Sequence, residues 1–454
     1  MKLKNLFFAS VAVAGLFSAC SNEMDEIVDN NGGNQPAIEG SAYASFSLQF
    51  PAATRALDTE VGTTEENAVK EVTLLFFEET AGTRTLKDIK TLNSGAFIKG
   101  STNTYTTKEA FLVTKGTRYI YAFVNAQAKI KALNPSGDNG AAWATVSGVG
   151  TETVADLSNA TGFAMSNAET APATNLTYTT ADAAKDAPIT IPVERSVAKV
   201  MYVGDKLAFD INRSGDGVKV GSVNLTNFTL VNGNSKYYYL KRVGDAAGMN
   251  FTIGGAETTT NYVIDPNFTL VPKTEEVDLS YTATQALAKD ATFYCQENTM
   301  SAAGQYNGAT TGVMFKAKVS VQEQAQDGTF YRYNGAIYAT AEAVKKAANI
   351  PSSANPSTVE DWANYKVDYY AQGVCYYPYW IKHQDNNDPA SMGIMEFGVV
   401  RNNVYKLSVS KINEIGAPSD KIDPENPDES EKVYLSVSVE IKPWTIRPNE
   451  NIEL

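Results

Sequence analysis

The sequence predicts a mostly β fold, with two β-sandwich-like domains in tandem and few short helices. Apolar and polar residues alternate in short segments along much of the 454-residue chain, which is the pattern of half-buried strands. Clusters of Gly, Asn and Thr separate these segments, as turns between strands do. The aromatic residues, 24 Tyr, 19 Phe and 4 Trp, also favour strands. Helical periodicity is scarce, and no tandem repeat is visible.

Composition excludes several classes of function. The formal net charge of −13 argues against a nucleic-acid partner, because binding to a phosphate backbone needs a basic surface. The single histidine, His383, excludes sites that require two imidazoles, such as His-rich zinc centres. With 43% apolar and 20% charged residues, the chain is neither a disordered tail nor a membrane bundle.

The first twenty residues predict export. Two lysines precede an apolar stretch at 6–17, which has the length of a signal peptide and is too short to span a bilayer. Ser18-Ala19-Cys20 follows and resembles a bacterial lipobox, in which the cysteine is acylated and becomes the mature N-terminus. We therefore expect a lipoprotein signal peptide at 1–19 and a lipid on Cys20. The alternative is an ordinary secretory signal with a coincidental cysteine.

Residues 20–55 form a separate segment before the first domain. An acidic tether rich in Asn and Gly leads into a strictly alternating strand at 41–50, which Pro51 ends. The apolar members of this strand are Ala42, Ala44, Phe46, Leu48 and Phe50. Small residues surround the bond between Arg55 and Ala56, so we expect an exposed loop that a protease can reach. Arg84 is the competing arginine, but a cut there would also remove the next predicted strand.

Two predicted domains follow, at 56–188 and 189–413. The boundary is placed where the strongest strand pattern begins, at Ile189. One helix is expected from an N-cap at Thr340 through Ala348. The predicted strands are Val69–Phe77, Phe111–Thr114, Tyr119–Val124, Ile189–Val203, Val218–Val231, Tyr237–Lys241, Tyr262–Leu270, Gly312–Val321, Phe330–Tyr338, Tyr376–Ile381, Met395–Val400 and Val404–Ile412.

The end of the chain divides into a linker and a strand. Residues 414–432 combine seven acidic residues with three prolines, which predicts a solvated, extended linker. Residues 433–454 begin with an alternation that matches the one at 41–50, so one face is built to be buried. The apolar members are Val433, Leu435, Val437, Val439 and Ile441, and Trp444 follows.

The sequence contains no catalytic motif, and no catalytic residue, metal site or cofactor is predicted. His383 is expected to be a surface imidazole in a polar loop. The acidic stretch Asp385–Asp388 lacks the spacing of a calcium loop and is interpreted as a turn. Cys295 and Cys375 each lie in an aromatic, strand-like segment, where buried free thiols are favoured. A disulfide between them stays open, because export permits one.

Six features of the sequence are considered together. They are the lipobox ending at Cys20, the Arg55-Ala56 site after a first strand, Val193-Glu-Arg-Ser-Val-Ala-Lys199, Val399-Val-Arg-Asn-Asn-Val-Tyr405, the acidic linker, and the terminal strand up to Pro443-Trp444. With these features the chain resembles the fimbrillins, the major fimbrial subunits of the type V pili of Bacteroidales, and the Pro-Trp pair is similar to the short, or minor, fimbria branch. The resemblance implies transthyretin-like domains.

The resemblance also implies a mechanism of assembly. Such precursors reach the cell outer membrane as lipoproteins, where a trypsin-like, Arg-specific protease cuts after an arginine, here Arg55, and removes the lipid with the first strand. A strand of the next subunit then fills the exposed groove, and the segment 433–454 is the expected donor. Head-to-tail insertion builds an open filament. The implied partners are further copies of this chain and other fimbrial subunits, in an extracellular fimbrium that supports adhesion and biofilm formation.

Other interpretations remain open at this stage. A surface glycan-binding lipoprotein would use the tyrosine clusters 237–239 and 376–380 as sugar platforms, whereas packing between strands is the simpler explanation. The terminal strand is alternatively an ordinary last strand of its own domain. Within the family, the sequence does not decide between a stalk, an anchor and a tip role, although a strand-like C-terminus favours a stalk or an anchor over a tip, because a tip subunit need not donate a strand.

Overall fold

The structure, a computed structural model, describes residues 36–51, 60–100, 103–212, 218–269, 279–280, 284–429 and 434–445. Over these ranges the chain is mostly β, as the sequence predicts. The α-helices are Ala128–Lys131, Ala141–Val146, Val154–Leu157, Ala181–Asp186, Ala341–Ala347 and Val359–Ala363, and the 3-10 turns are Ser94–Ala96, Ala302–Gly304 and Ala371–Gly373. Among the described residues, no helix has the length and apolar character of a membrane span.

The first half of the chain builds a nine-stranded sheet, here called the N-terminal sheet. Its order is Thr83–Asn93, Glu71–Thr80, Gly116–Val124, Met165–Asn167, Ile189–Arg195, Phe46–Gln49, Thr104–Thr107 and Phe97–Lys99, with Ala173–Leu176 also beside Gly116–Val124. The remaining strands of this half are Ser41–Ala44, Glu60–Val61, Phe111–Thr114, Val149–Gly150, Ser158–Asn159 and Gly162–Phe163. One parallel pair, Phe46–Gln49 with Ile189–Arg195, interrupts an otherwise antiparallel arrangement.

The second half builds two five-stranded sheets that contribute side chains to one buried cluster. The first, here called the C-terminal sheet, has the order Thr292–Cys295, Ala198–Tyr202, Asn403–Ile412, Leu435–Thr445 and Glu60–Val61. The second has the order Ala208–Asn212, Lys219–Val231, Gly312–Val321 and Val374–Trp380, with Gln285–Ala286 beside Lys219–Val231. The remaining strands are Gly233–Asn234, Tyr237–Tyr238, Arg242–Gly244, Phe251–Ile253, Tyr262–Val263, Leu279–Ser280, Asn298–Thr299, Phe330–Tyr333, Ala336–Tyr338, Asp368–Tyr370 and Gly398–Val399.

The predicted domain boundary at 188/189 is one strand too early. Ile189–Arg195 pairs inside the N-terminal sheet, whereas Ala198–Tyr202 belongs to the C-terminal sheet. The chain changes sheets at Ser196, whose amide donates to the carbonyl of Ala164 (2.9 Å). The apolar pattern runs on through this crossing, so periodicity does not show where one sheet ends and the next begins.

Several local predictions agree with the structure. The strands Phe111–Thr114 and Gly312–Val321 have the predicted bounds. The predicted helix spans Ala341–Ala347, and the Thr340 hydroxyl caps it by accepting a hydrogen bond from the amide of Ala343 (3.2 Å). In the segment 262–270 the sequence predicts a strand that Pro266 breaks, and within the described part of this segment the strand is Tyr262–Val263.

The two cysteines are buried free thiols in the part of the chain that the structure describes. They lie on different sheets, since Thr292–Cys295 belongs to the C-terminal sheet and Val374–Trp380 to the sheet that faces it. Burial raises the pKa of Cys295 to about 12 and that of Cys375 to about 11. Both side chains therefore act as small apolar groups rather than as nucleophiles.

The acidic linker is held against the second domain near both of its ends. Ala417 forms a β-bridge with Tyr376, and Asp428 is 5% exposed, with a carboxyl oxygen that accepts a hydrogen bond from the Thr310 hydroxyl. Residues 423–427 between these anchors are exposed. The prediction of a fully solvated linker is therefore wrong at Asp428, which finds a hydrogen-bond donor inside the fold.

Asp428 predicts a pH dependence of stability. Burial raises the pKa of its carboxyl from 3.8 to about 8, and the neighbouring Glu429 acts in the same direction. The folded chain thus holds this proton more tightly than the unfolded chain, so the group lowers the free energy of unfolding as pH rises from about 4 to about 8. Asp428→Asn should flatten this decrease in urea unfolding, while Asp423→Asn, at an exposed position, should not. Equal pH slopes for wild type and Asp428→Asn would contradict the prediction.

Candidate functional site

The predicted first strand is an interior strand of the N-terminal sheet. Phe46–Gln49 runs parallel to Ile189–Arg195 on one side and antiparallel to Thr104–Thr107 on the other. Just before it, Ser41–Ala44 pairs with Phe111–Thr114. Because the strand is interior, its backbone N–H and C=O groups form hydrogen bonds with a neighbouring strand on each side. Both neighbouring strands in turn depend on it for hydrogen-bond partners.

The apolar face of this strand fills the core of the first domain. Ala42, Ala44, Phe46, Leu48 and Phe50 are each 0–1% exposed. The Phe46 ring packs edge-on against Phe76 (5.7 Å between ring centroids) and is stacked on Phe111 (5.6 Å). Phe50 packs edge-on against Tyr105 (5.1 Å).

The polar face is covered as well, which differs from the predicted half-buried strand. Ser45 is 1% exposed, and Ser47 is 7% exposed. The Ser45 hydroxyl shares a hydrogen bond with the Thr107 hydroxyl (2.9 Å), which also accepts from the amide of Phe46 (3.1 Å). The Thr106 hydroxyl donates to the Ser47 hydroxyl (3.0 Å). Both faces of the strand between Ala44 and Leu48 are therefore inside the protein.

Three predicted sites lie outside the described residues: Cys20, the Arg55–Ala56 bond and Val433. The Arg55–Ala56 bond belongs to the segment that joins Pro51, at the end of the buried strand, to Glu60. The competing Arg84 lies within a paired strand, where its guanidinium contacts Glu79 (2.8 Å) and packs over the Tyr119 ring (4.0 Å). A bond held in a sheet in this way is a poor protease substrate.

The predicted donor strand lies in the protein's own C-terminal sheet. Leu435–Thr445 pairs antiparallel with Asn403–Ile412 along nearly its whole length. Within the described ranges, its other side is paired only at its end, where Glu60–Val61 runs parallel to Trp444 and Thr445. The linker therefore joins two strands that are direct neighbours in this sheet.

The terminal strand is covered less completely than the first strand. Val437, Val439 and Ile441 are only partly buried, although they pack against the core of the second domain. Leu435 and Trp444, at its two ends, are 4% and 0% exposed. The strand is thus anchored at its ends and incompletely buried along its middle.

Trp444 is held by a junction of the two sheets that the sequence did not reveal. Its ring is stacked on Tyr294 (6.0 Å between centroids, 3° between planes), and the Arg195 guanidinium lies 4.4 Å from the ring centroid. Arg195 also donates to the carbonyls of Trp444 (3.1 Å) and Glu66 (3.1 Å). Gly62 is required here, because a Cβ at that position would lie 2.9 Å from the Trp444 ring nitrogen.

The charged groups of this junction are paired inside the protein. The Glu66 carboxylate accepts from Lys199 (2.8 Å), from the Tyr294 hydroxyl (2.6 Å) and from the amide of Thr63 (2.6 Å). Burial lowers the pKa of Arg195 to about 10, which still leaves it charged at neutral pH. Local sequence shows only the motif around Arg195, because the partners of Arg195 are distant in the chain.

The other candidate residues do not form a reactive centre. His383 is not a surface imidazole: its side chain is 9% exposed, and its ring nitrogens contact the Tyr405 hydroxyl (2.7 Å) and Glu257 (3.1 Å). Tyr237, Tyr239 and Tyr377 are buried, so the simpler explanation of packing is confirmed for them. Among the described residues, no group of three or more His, Cys, Asp and Glu side chains is placed to hold a metal ion.

Comparison with known proteins finds similarity to fimbrial subunits. Residues 368–450 match the family model of the fimbrillin C-terminal domain, described as major fimbrial subunit protein type IV. Two curated relatives, both named minor fimbrium subunit Mfa1, from Porphyromonas gingivalis, are 23% identical to this chain. The alignments extend over 518 and 522 residues and cover all of this chain and all of each relative.

Two solved structures are also similar to this chain. A fimbrilin (FimA) from Porphyromonas gingivalis W83 has 15% identity and a TM-score of 0.49, over 89% of this chain and 98% of the other. The tip fimbrial protein Mfa3 from Porphyromonas gingivalis, with a C-terminal truncation, has 11% identity and a TM-score of 0.42, over 89% and 100%. Over its full length the chain is therefore similar to curated minor fimbrium subunits, and within residues 368–450 it is similar to the C-terminal domain of the fimbrillins.

Proposed function

We propose that this chain is a structural, stalk-forming subunit of a surface fimbrium that assembles by donor-strand exchange. In this proposal the chain is exported as a lipoprotein on Cys20, is cut between Arg55 and Ala56, and then polymerises head to tail to support adhesion and biofilm formation. The observation that carries the proposal is the interior strand Phe46–Gln49, which is buried from Phe46 to Leu48 and is joined to the rest of the domain through the segment that contains Arg55. An anchor or tip role is the alternative within the family.

Removal of the first strand would create a site that demands a replacement. Ile189–Arg195 and Thr104–Thr107 would both lose their hydrogen-bonded neighbour, and a buried backbone group without a partner costs about 1–3 kcal/mol. The core side chains under Phe46 and Leu48 would meet water. A peptide strand that restores both sets of contacts is therefore strongly favoured.

The terminal strand gains by moving into such a groove. In its own sheet it pairs fully with one neighbour, Asn403–Ile412, whereas the groove offers a neighbour on each side. Full burial of a Val or Ile side chain stabilises by about 1.5–3 kcal/mol. Val437, Val439 and Ile441 are only partly buried in the chain's own sheet, so completing their burial adds on the order of 3 kcal/mol in total. The transfer costs the release of Trp444 from its junction.

The similarity to fimbrial subunits supports the proposed partners and location. Minor fimbrium subunits are the curated relatives, and they support other fimbrial subunits as partners and an extracellular fimbrium as the location. An Arg-specific, trypsin-like protease and a transient attachment to the outer membrane through Cys20 complete the proposal. A glycan-binding role is less well supported, because Tyr237, Tyr239 and Tyr377 are buried and offer no sugar platform.

Cleavage at Arg55 can be tested against the competing arginine. Arg55→Ala should abolish processing and filament formation, because the first strand then stays in the groove. Arg84→Ala should be processed and assembled as the wild type is, since Arg84 is held in a sheet. N-terminal sequencing of assembled wild-type material should begin Ala-Leu-Asp. A start at Cys20, or filaments from Arg55→Ala, would contradict this prediction.

The buried face of the donor strand can be tested at Val437. Val437→Asp should abolish filaments, because a carboxylate cannot be buried in the apolar groove without a partner. Val437→Ile keeps the face apolar and should assemble. Electron microscopy scores the filaments, and thermal unfolding of the uncut chain should show only a small loss of Tm for Val437→Asp, because this side chain is half-buried there. Normal filaments from Val437→Asp would rule out the proposed donor face.

A further inference from the structure

The terminal strand repeats the first strand residue by residue, on both faces. Tyr43-Ala-Ser-Phe-Ser-Leu-Gln-Phe50 and Tyr434-Leu-Ser-Val-Ser-Val-Glu-Ile441 place Tyr at the first position, Ser at the third and fifth, and Gln or Glu at the seventh. The remaining positions are apolar in both. Burial of one face explains the apolar positions, because alternate side chains share a face. It does not explain why both strands have serines at the third and fifth positions and Gln or Glu at the seventh.

The structure supplies a reason for the two serines. Ser45 and Ser47 are buried at 1% and 7% exposure, and their hydroxyls contact those of Thr107 (2.9 Å) and Thr106 (3.0 Å). Because these two positions are buried, they favour a small side chain. They also favour a hydroxyl group, because the hydroxyls of Thr107 and Thr106 would otherwise lose a hydrogen-bond partner, which is costly. Ser436 and Ser438 have the same size and the same hydrogen-bonding group.

The seventh position fixes the register further. Gln49 is exposed, although the residues from Ala44 to Leu48 before it are all buried. A donor strand in the same direction and register would place Glu440 at this exposed position. A shift by two residues one way would put Glu440 at the buried position of Ser47, and a shift the other way would put Tyr434 at the position of Ser45. The first would bury a carboxylate and the second an aromatic ring in a space that holds a serine.

We propose that the donor strand enters the groove of the next subunit in the direction and register of the removed strand, with Ser436 and Ser438 taking the places of Ser45 and Ser47. In that position their hydroxyls meet Thr107 and Thr106 of the acceptor, and Glu440 reaches solvent where Gln49 does now. Ser436, Ser438 and Glu440 are then the residues that determine which register a second copy of this chain adopts. This inference rests on the proposed function, because it needs the terminal strand to be the donor.

Disulfide trapping tests the register directly. Thr106 is the direct partner of Ser47 in the sheet, and directly paired residues bring their Cβ atoms to about 4.5–5.5 Å. Filaments of a Ser438→Cys, Thr106→Cys chain should therefore cross-link into a ladder of oligomers on a denaturing, non-reducing gel. Ser436→Cys with Thr106→Cys, and Glu440→Cys with Thr106→Cys, report the two shifted registers and should cross-link at least about tenfold less. Wild-type filaments are the control, since Cys295 and Cys375 are buried.

The outcomes separate this inference from the proposed function. A ladder of cross-linked oligomers from either shifted pair overturns the proposed register. So does the absence of cross-linking in all three pairs when filaments form. Absence of filaments from the wild-type chain after cleavage at Arg55 contradicts the proposed function itself. A strong ladder from the Ser438 pair alone supports both.

A change of charge provides a second, independent readout. Ser438→Glu would place a carboxylate at the buried position of Ser47 and should abolish filaments, whereas Glu440→Gln reproduces the residue of the first strand and should assemble normally. Ser438 is exposed in the chain's own C-terminal sheet, so Ser438→Glu should leave the Tm of the uncut chain unchanged. Filaments from Ser438→Glu in wild-type yield would overturn the assignment of Ser438 to the buried position.

Discussion

The interior position of Phe46–Gln49 is the constraint on which the rest of the N-terminal sheet depends. The strand lies between Ile189–Arg195 and Thr104–Thr107, so the sheet is continuous only while a strand occupies this position. Its side chains complete the core on one face, and its serines satisfy threonine hydroxyls on the other. A proteolytic cut in the segment after Pro51 would leave this strand held by non-covalent contacts alone. The sheet would then be complete but open to exchange.

The C-terminal sheet shows the complementary situation. Leu435–Thr445 is well paired on one side and incompletely covered along its middle, and Trp444 keeps its end in place. Arg195 links the two regions, because it belongs to a strand of the N-terminal sheet and donates to the carbonyl of Trp444. Ile189–Arg195 borders the proposed groove, and through Arg195 it also contacts Trp444 at the end of the terminal strand. We propose that this terminal strand fills the groove of another subunit. The proposed donor and acceptor surfaces are parts of one connected structure.

Much of this could be predicted from local sequence patterns, and the remainder depends on contacts between distant residues. Alternation located the first strand and the terminal strand, and an N-cap threonine located the helix Ala341–Ala347, because these signals lie within a few neighbouring residues. Alternation does not state which strands become neighbours. The crossing at Ser196, the pairing of the terminal strand with Asn403–Ile412 and the burial of Ser45 all follow from such long-range partners. The burial of His383 has the same origin, since its partners Glu257 and Tyr405 are remote in sequence.

The most direct test of the account is a reconstruction of the assembled filament by electron cryo-microscopy. Between Thr104–Thr107 and Ile189–Arg195 of each subunit, the account predicts a strand whose side chains are those of residues 435–441 and whose chain continues into the neighbouring subunit. A groove that still contains residues 46–49 of the same chain, with residues 435–445 beside Asn403–Ile412 as in the single chain, would contradict donor-strand exchange.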